Sequence, residues 1–257
     1  MNFPVTIYEV IRVVEGVPLF LDEHLDRLFH SARLTGVDTI PGPVALSLDI
    51  QNFLQREGRL EGNIKLGILL NDDMNQPTVE LAYIPHAYPS ASDYRDGVKI
   101  VSLYAERPLP NAKVQHNQLR EEANRLMAEK GVYEVMLVDR NDKVTEGSKS
   151  NLFFIRDNMV FTSPPEKVLE GITRNRVIAL CRKAGIPVVE EEIPFGRLDG
   201  YTAAFITGTS PKVLPICMAD EVAYVTDLPL LRNIMKHYDE AIENYVAHHR
   251  NENGLVS

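Results

Sequence analysis

The segment Glu106-Arg107-Pro108-Leu109-Pro110-Asn111 constrains this chain more than any other stretch of it. Two prolines in three residues fix φ and remove two backbone donors. They also push the preceding residues away from helical geometry, so neither a helix nor a central strand runs through here. A chain of 257 residues with such a break is expected to fold in two parts, 1–110 and 111–257. At 44% hydrophobic and 25% charged residues, the composition suffices for ordinary buried cores in both.

Periodicity fills in each part. Residues 5–13 alternate and read as a strand, followed by a turn at Gly16-Val17-Pro18. Asp22 is expected to cap a helix that carries Leu25, Leu28, Phe29 and Ala32 on one face and stops at Gly36. A second helix should follow Pro43. Residues 63–70 and 77–84 read as strands joined by a turn over 71–76, and 98–104 as another strand. Past the break, Leu119, Ala123, Leu126 and Met127 share one face of a helix over 117–130, closed by Gly131. Two hairpins follow, one around Arg140-Asn141-Asp142 and one around Asp157-Asn158. A helix over 173–184, a strand over 201–206 and a long amphipathic helix from Leu230 to about His249 complete the chain, with a frayed tail from Arg250. Neither half alternates strand and helix regularly. The expected class is α+β, a small N-terminal α/β domain and a larger C-terminal domain of mixed sheets and helices.

Several function classes fall away. A formal net charge of -9 argues against nucleic-acid binding through backbone phosphates. No apolar run is long enough for a membrane span, and the first residues lack the basic-then-apolar order of a signal peptide, so the cytoplasm is the expected compartment. Cys181 and Cys217 are too few for a disulfide framework and read as buried thiols. The histidines do not cluster, so no metal site is expected. Gly208 to Lys212 lacks the spacing of a nucleotide-binding loop.

The chemistry-bearing residues are Lys113, directly after the proline break, and Glu146, at a strand end before a glycine. A lone lysine is usually a solvated charge. At a junction where two domains would meet and form a cleft, a desolvated amine becomes nucleophilic and able to hold an aldehyde. A buried glutamate needs a cationic partner, and a pyridinium N–H is one. Pyridoxal phosphate chemistry requires both groups. It also requires a phosphate site, for which there are two candidates. Gly171-Ile172-Thr173-Arg174 opens a helix, although Thr173 also reads as an ordinary N-cap. Thr207-Gly208-Thr209-Ser210 is a small-residue turn after a strand. Arg27, on the first helix, is either a surface charge or a bidentate phosphate ligand.

Five segments then occur in one order. They are Tyr8-Glu9 with Glu23-His24-Leu25-Asp26-Arg27-Leu28; Lys113 with Asn117 and Leu119; Val144-Thr145-Glu146-Gly147 with Ser150-Asn151-Leu152-Phe153; Leu169 to Arg174; and Phe205 to Ser210 with Pro215. In these the chain resembles the class IV, fold type IV pyridoxal-phosphate enzymes, from about Tyr8 to Ile216. That group includes branched-chain aminotransferases, D-amino acid aminotransferases and 4-amino-4-deoxychorismate lyases. The resemblance implies that Lys113 forms the internal aldimine and that Glu146 pairs with the pyridine nitrogen. Arg27, Ile172, Thr173, Gly208 and Thr209 would hold the phosphate. The Thr209 and Ser210 amides, with the Tyr8 hydroxyl, would bind the substrate carboxylate. It further implies a homodimer that exchanges an amino group between an amino acid, branched-chain-like by its lysine motif and Thr-Gly-Thr loop, and a 2-oxo acid. The alternatives are a D-amino acid substrate or the lyase, which releases pyruvate with the same lysine and cofactor. Gln118 stands where branched-chain aminotransferases carry a tyrosine.

Overall fold

The computed structural model describes residues 6–37, 39–69, 77–115 and 117–252. The turn expected over 71–76, Leu70 before it and the tail from residue 253 lie outside the described residues. The residues group into two compact units: Met1–Ala87 with Ala112–Gln115 and Glu240–Ser257, and Tyr88–Asn111 with His116–Asp239.

In the first unit, β1 (Thr6–Val14) buries Ile7, Glu9, Ile11 and Val13 and leaves the residues between them partly exposed. This is the two-residue alternation of a strand with one covered face. It pairs antiparallel with β2 (Val17–Pro18) and β3 (Gly62–Leu69), and β3 with β4 (Thr78–Ile84), in the order β2-β1-β3-β4. The covered face packs on α1 (Leu21–Thr35) and α2 (Pro43–Glu57), where Ile7 and Ile11 meet Leu25, Leu28, Leu46 and Ile50. Pro43 lies in the first turn of α2, where its missing N–H breaks no bond. Asp22 is not the N-cap of α1. Phe20 holds that place with φ 56°, and its own side chain makes no capping bond. Instead the Leu21 N–H donates to the Tyr245 hydroxyl at 3.2 Å, with the Phe20 and Tyr245 rings edge to face at 4.8 Å. Asp22 sits inside the first turn, where its charge favours the helix dipole.

The second unit is built on one mixed sheet. After α3 (Ala91–Asp96) comes β5 (Val98–Tyr104), which pairs in parallel with β6 (Glu134–Val138). Parallel neighbours need a long crossover, and α4 (Asn117–Lys130) lies in it. Thus β5, expected with the first part, groups with the second, and the contact division falls after Ala87 rather than after Pro110. The remaining strands are β7 (Lys143–Gly147), β8 (Asn151–Arg156), β9 (Met159–Thr162), β10 (Val188–Glu190), β11 (Ile193–Pro194), β12 (Ala203–Gly208), β13 (Lys212–Ala219) and β14 (Val222–Ala223). Their order is β10-β9-β8-β12-β13-β5-β6-β7-β11, with β14 on β13. Asp157 and Asn158 both take positive φ between β8 and β9, the geometry of a two-residue hairpin turn. Every residue of β6 is buried. Val135 and Leu137 face Ala123 of α4, while Met136 joins the main core with Phe154, Ile206 and Leu214. A sheet covered on both faces takes such continuous apolar runs.

Two helices complete the chain, α5 (Ile172–Lys183) and α6 (Pro229–Glu252). Gly171, not Thr173, is the N-cap of α5. Of the thiols, Cys181 is buried and Cys217 half-buried. Among the described residues, no helix is long and apolar enough to cross a membrane.

Candidate functional site

Three of the expected site residues, Tyr8, Arg27 and Lys113, belong to the first unit. The other six, Glu146, Ile172, Thr173, Gly208, Thr209 and Ser210, belong to the second. Each group is built locally by its own unit.

In the first unit, the strand alternation turns Tyr8 to the face of β1 away from the helices. Lys113 is brought to Tyr8 by backbone bonds. Its carbonyl accepts the Tyr8 N–H at 3.2 Å, its own N–H donates to Ser31 Oγ at 3.0 Å, and Ile7 and Val114 form a bridge. The Lys113 ammonium lies 5.0 Å from the centre of the Tyr8 ring. Lys65 reaches the same ring at 5.3 Å. Two cations at one ring make Lys65 the natural competitor for any role given to Lys113.

Arg27 is not a surface charge. Its side chain is 9% exposed, and it holds Glu9 bidentately, Nε to Oε1 at 2.8 Å and Nη2 to Oε2 at 2.6 Å. His24 Nδ1 lies 2.7 Å from Glu9 Oε2. Burial alone would raise the pKa of Glu9. The Arg27 charge and the hydrogen bonds from Arg27 and His24 override it and bring Glu9 down to about 2. An ionised carboxylate only accepts, so His24 carries its proton on Nδ1. Burial lowers the His24 pKa despite Glu9 beside it, so the ring is held neutral.

In the second unit, Glu146 is 2% exposed near the end of β7. Its Oε2 accepts the Leu169 N–H at 3.2 Å, and the Arg107 Nε lies 3.1 Å from Oε1. That Nε–H is aligned on no acceptor among the described residues, so the contact is Coulombic. Arg107 is fixed instead by Nη2, which donates to Ser148 O at 2.7 Å. Asn151 also grips the segment before α5, donating Nδ2 to Leu169 O at 2.8 Å. A Cβ on Gly171 would lie 2.2 Å from Asn151 Oδ1, so a side chain there would displace the Asn151 amide. Glu146 and the start of α5 are therefore tied to one short stretch, residues 169–171.

The start of α5 suits an anion. No side chain caps it, Ile172 and Thr173 are buried, and the unpaired N–H groups of a first turn carry partial positive charge. The Thr173 hydroxyl accepts from Tyr238 at 3.2 Å instead of capping the helix. Gly208 ends β12, and Thr209 and Ser210 lie half-buried in the turn to β13. The Lys149 carbonyl would be 3.4 Å from a Cβ on Gly208, which links this loop to the turn after Glu146. Carboxylate, uncapped helix start and glycine loop are the groups that a phosphorylated pyridine would need.

Sequence reasoning did not assign roles to Glu9, His24, Arg107, Glu134 or Asn151. Alternation puts Glu9 on the same face as Ile7, Ile11 and Val13, and that alone marks a charge needing a partner. For Arg107 no local signal exists, because its partners lie about forty residues away.

Comparison with known proteins adds a family. The model for the class IV amino-transferases matches residues 6–218. The D-alanine aminotransferase of Bacillus licheniformis is 25% identical, with 94% of this chain and 89% of that protein aligned. The provisionally named branched-chain-amino-acid aminotransferase of Methanocaldococcus jannaschii is 33% identical over 83% of this chain and 78% of that one. Among solved structures, the branched-chain aminotransferase of the archaeon Thermoproteus uzoniensis with norvaline has a TM-score of 0.83 at 25% identity, covering 93% of this chain and 86% of that one. A branched-chain amino acid aminotransferase solved with pyridoxamine 5'-phosphate has a TM-score of 0.86 at 25% identity, covering 96% and 88%. A provisionally named 4-amino-4-deoxychorismate lyase from Legionella pneumophila shares the fold, with a TM-score of 0.83 at 21% identity, covering 91% and 90%.

Proposed function

This chain belongs to the class IV aminotransferase family, and from that premise we propose that it moves an amino group from a branched-chain-like amino acid to a 2-oxo acid on pyridoxal 5'-phosphate. The observation that carries the reading is the family match over residues 6–218, a span within which all the residues proposed here for the chemistry fall, from Tyr8 to Ser210. The branched-chain preference is supported by the 33% identical relative of that name.

When bound, the cofactor supplies an aldehyde and a protonated ring that withdraws electrons from the substrate carbon. Lys113 provides the amine that carries it covalently, and later the base that takes and returns the substrate proton. Glu146 holds the proton of the ring nitrogen by charge. The Ile172 and Thr173 amides, Gly208, Thr209 and Arg27 bind the phosphate. The Thr209 and Ser210 amides orient the substrate carboxylate, with the Tyr8 hydroxyl. In this reading the protein is a cytoplasmic homodimer.

The test is a panel of L- and D-amino acids with 2-oxoglutarate as acceptor. Transfer from leucine, isoleucine or valine is expected. Transfer from D-alanine alone would favour the D-amino acid reading, which the Bacillus licheniformis relative supports. No transfer, with pyruvate released from 4-amino-4-deoxychorismate, would favour the lyase.

A further inference from the structure

Glu134 opens β6 and is 3% exposed, and the proposed reaction gives it nothing to do. Among the described residues its carboxylate accepts four hydrogen bonds, all from neutral donors. Oε1 takes the Val135 N–H at 2.8 Å and the Ser148 hydroxyl at 2.6 Å. Oε2 takes the Lys149 N–H at 3.1 Å and the Ser150 hydroxyl at 2.9 Å. Three of the four donors come from residues 148–150, so the turn that leaves Glu146 is folded around this carboxylate. Gly147 suits the same packing, because a Cβ there would lie 2.1 Å from Ser150 Oγ and 3.2 Å from Glu134 Cδ and would push the hydroxyl off the carboxylate. Arg107 holds the opposite side of the turn through Ser148 O.

The turn reaches two parts of the candidate site. Glu146 precedes it in the chain, and the Lys149 carbonyl packs against Gly208. A buried carboxylate is retained at a cost in hydration, and here that cost purchases a fixed backbone rather than an ion pair. We propose that Glu134 is a positioning residue, which sets the Glu146 carboxylate and the Gly208 loop by clamping residues 147–150 and touches neither substrate nor cofactor. The inference rests on Glu146 serving the cofactor's ring nitrogen.

The hydrogen-bond pattern selects the variant. Each oxygen of Glu134 faces one backbone N–H that cannot turn away. A glutamine amide has one accepting and one donating end, so either orientation sets its NH2 against a fixed N–H. Glu134→Gln, though nearly isosteric, should therefore release the turn.

The experiment compares wild type, Glu134→Gln, Ser148→Ala and Glu146→Gln as holoenzymes. It records the pH titration of the bound cofactor's visible band, kcat and KM. In cofactor-free protein it records amide exchange over residues 147–151. Glu134→Gln should move the titration in the direction of Glu146→Gln and lower kcat by on the order of 10- to 100-fold, with KM changing less. It should also speed exchange in the turn. Ser148→Ala should give a smaller shift of the same sign, and it decides the matter if Glu134→Gln does not fold. A wild-type titration and kcat per bound cofactor, with only a lower melting temperature, would overturn the proposal and leave a structural role. If Glu146→Gln itself leaves the band unmoved, the assignment of Glu146 falls, and this inference with it.

Discussion

The two units each bury a carboxylate, and they satisfy it in opposite ways. Glu9 of β1 is held by charge, between the Arg27 guanidinium and the His24 ring. Glu134 of β6 is held by two backbone amides and two serine hydroxyls. A carboxylate tied to a cation answers to anything that removes the charge. One tied to neutral donors answers to anything that changes donor geometry. The first arrangement stands beside an arginine proposed to bind phosphate, the second beside a turn proposed to position a proton.

Glu9→Gln should have the largest effect. It leaves the Arg27 guanidinium buried beside a neutral amide, a change that typically destabilises by about 3–5 kcal/mol. Denaturant unfolding measures it, with faster amide exchange expected in α1. A loss below about 1 kcal/mol, the range of an exposed pair, would mean that the pair contributes little.

Acid should act next. Glu9 is depressed in the folded state from its ordinary 4.5 to about 2. Its contribution is therefore fully present above about pH 4.5 and is lost as pH falls toward 2, on the order of 3 kcal/mol in all. His24 is also depressed, so the unfolded chain takes up a proton first and stability begins to fall below about pH 6.5. His24→Asn should flatten the loss just below pH 6.5, while Arg27, the larger cause of the Glu9 depression, keeps most of the loss below pH 4.5. Unchanged curvature in that variant would contradict a buried neutral imidazole.

The mildest change belongs to the second unit. Ser150→Ala removes one hydroxyl from Glu134 while the Lys149 amide stays on the same oxygen. A hydrogen bond to a charged group is worth about 1.5–3 kcal/mol, and the loss should fall at the low end of that. Denaturant unfolding measures it, and a loss as large as that of Glu9→Gln would contradict the contrast between the two carboxylates.

Much of this arrangement was legible in the sequence where a local rule governs it. The helix over 117–130, the turn at Asp157-Asn158 and the proline-started α2 are observed at the expected positions, since each depends on residues a few positions apart. Asp22 misled because the helix start is capped from Tyr245, far along the chain. The grouping of β5 was hidden because its parallel partner β6 lies beyond a crossover of about thirty residues, and no local pattern announces such a pairing. The residues of the resemblance were readable as motifs, but not what sets them. Glu9 and His24 around Arg27, and Arg107, Glu134 and Asn151 around Glu146 and Gly171, act through side chains that only the fold brings together.

The proposed reaction depends before all else on the amine of Lys113 carrying pyridoxal phosphate. Borohydride reduction of the purified, cofactor-loaded protein followed by peptide mapping tests it directly. A yellow protein that loses its visible band is expected, with the phosphopyridoxyl adduct on the peptide containing Lys113 and no adduct in Lys113→Ala. An adduct on Lys65, whose ammonium approaches the same tyrosine ring, or an unchanged spectrum in Lys113→Ala, would contradict it.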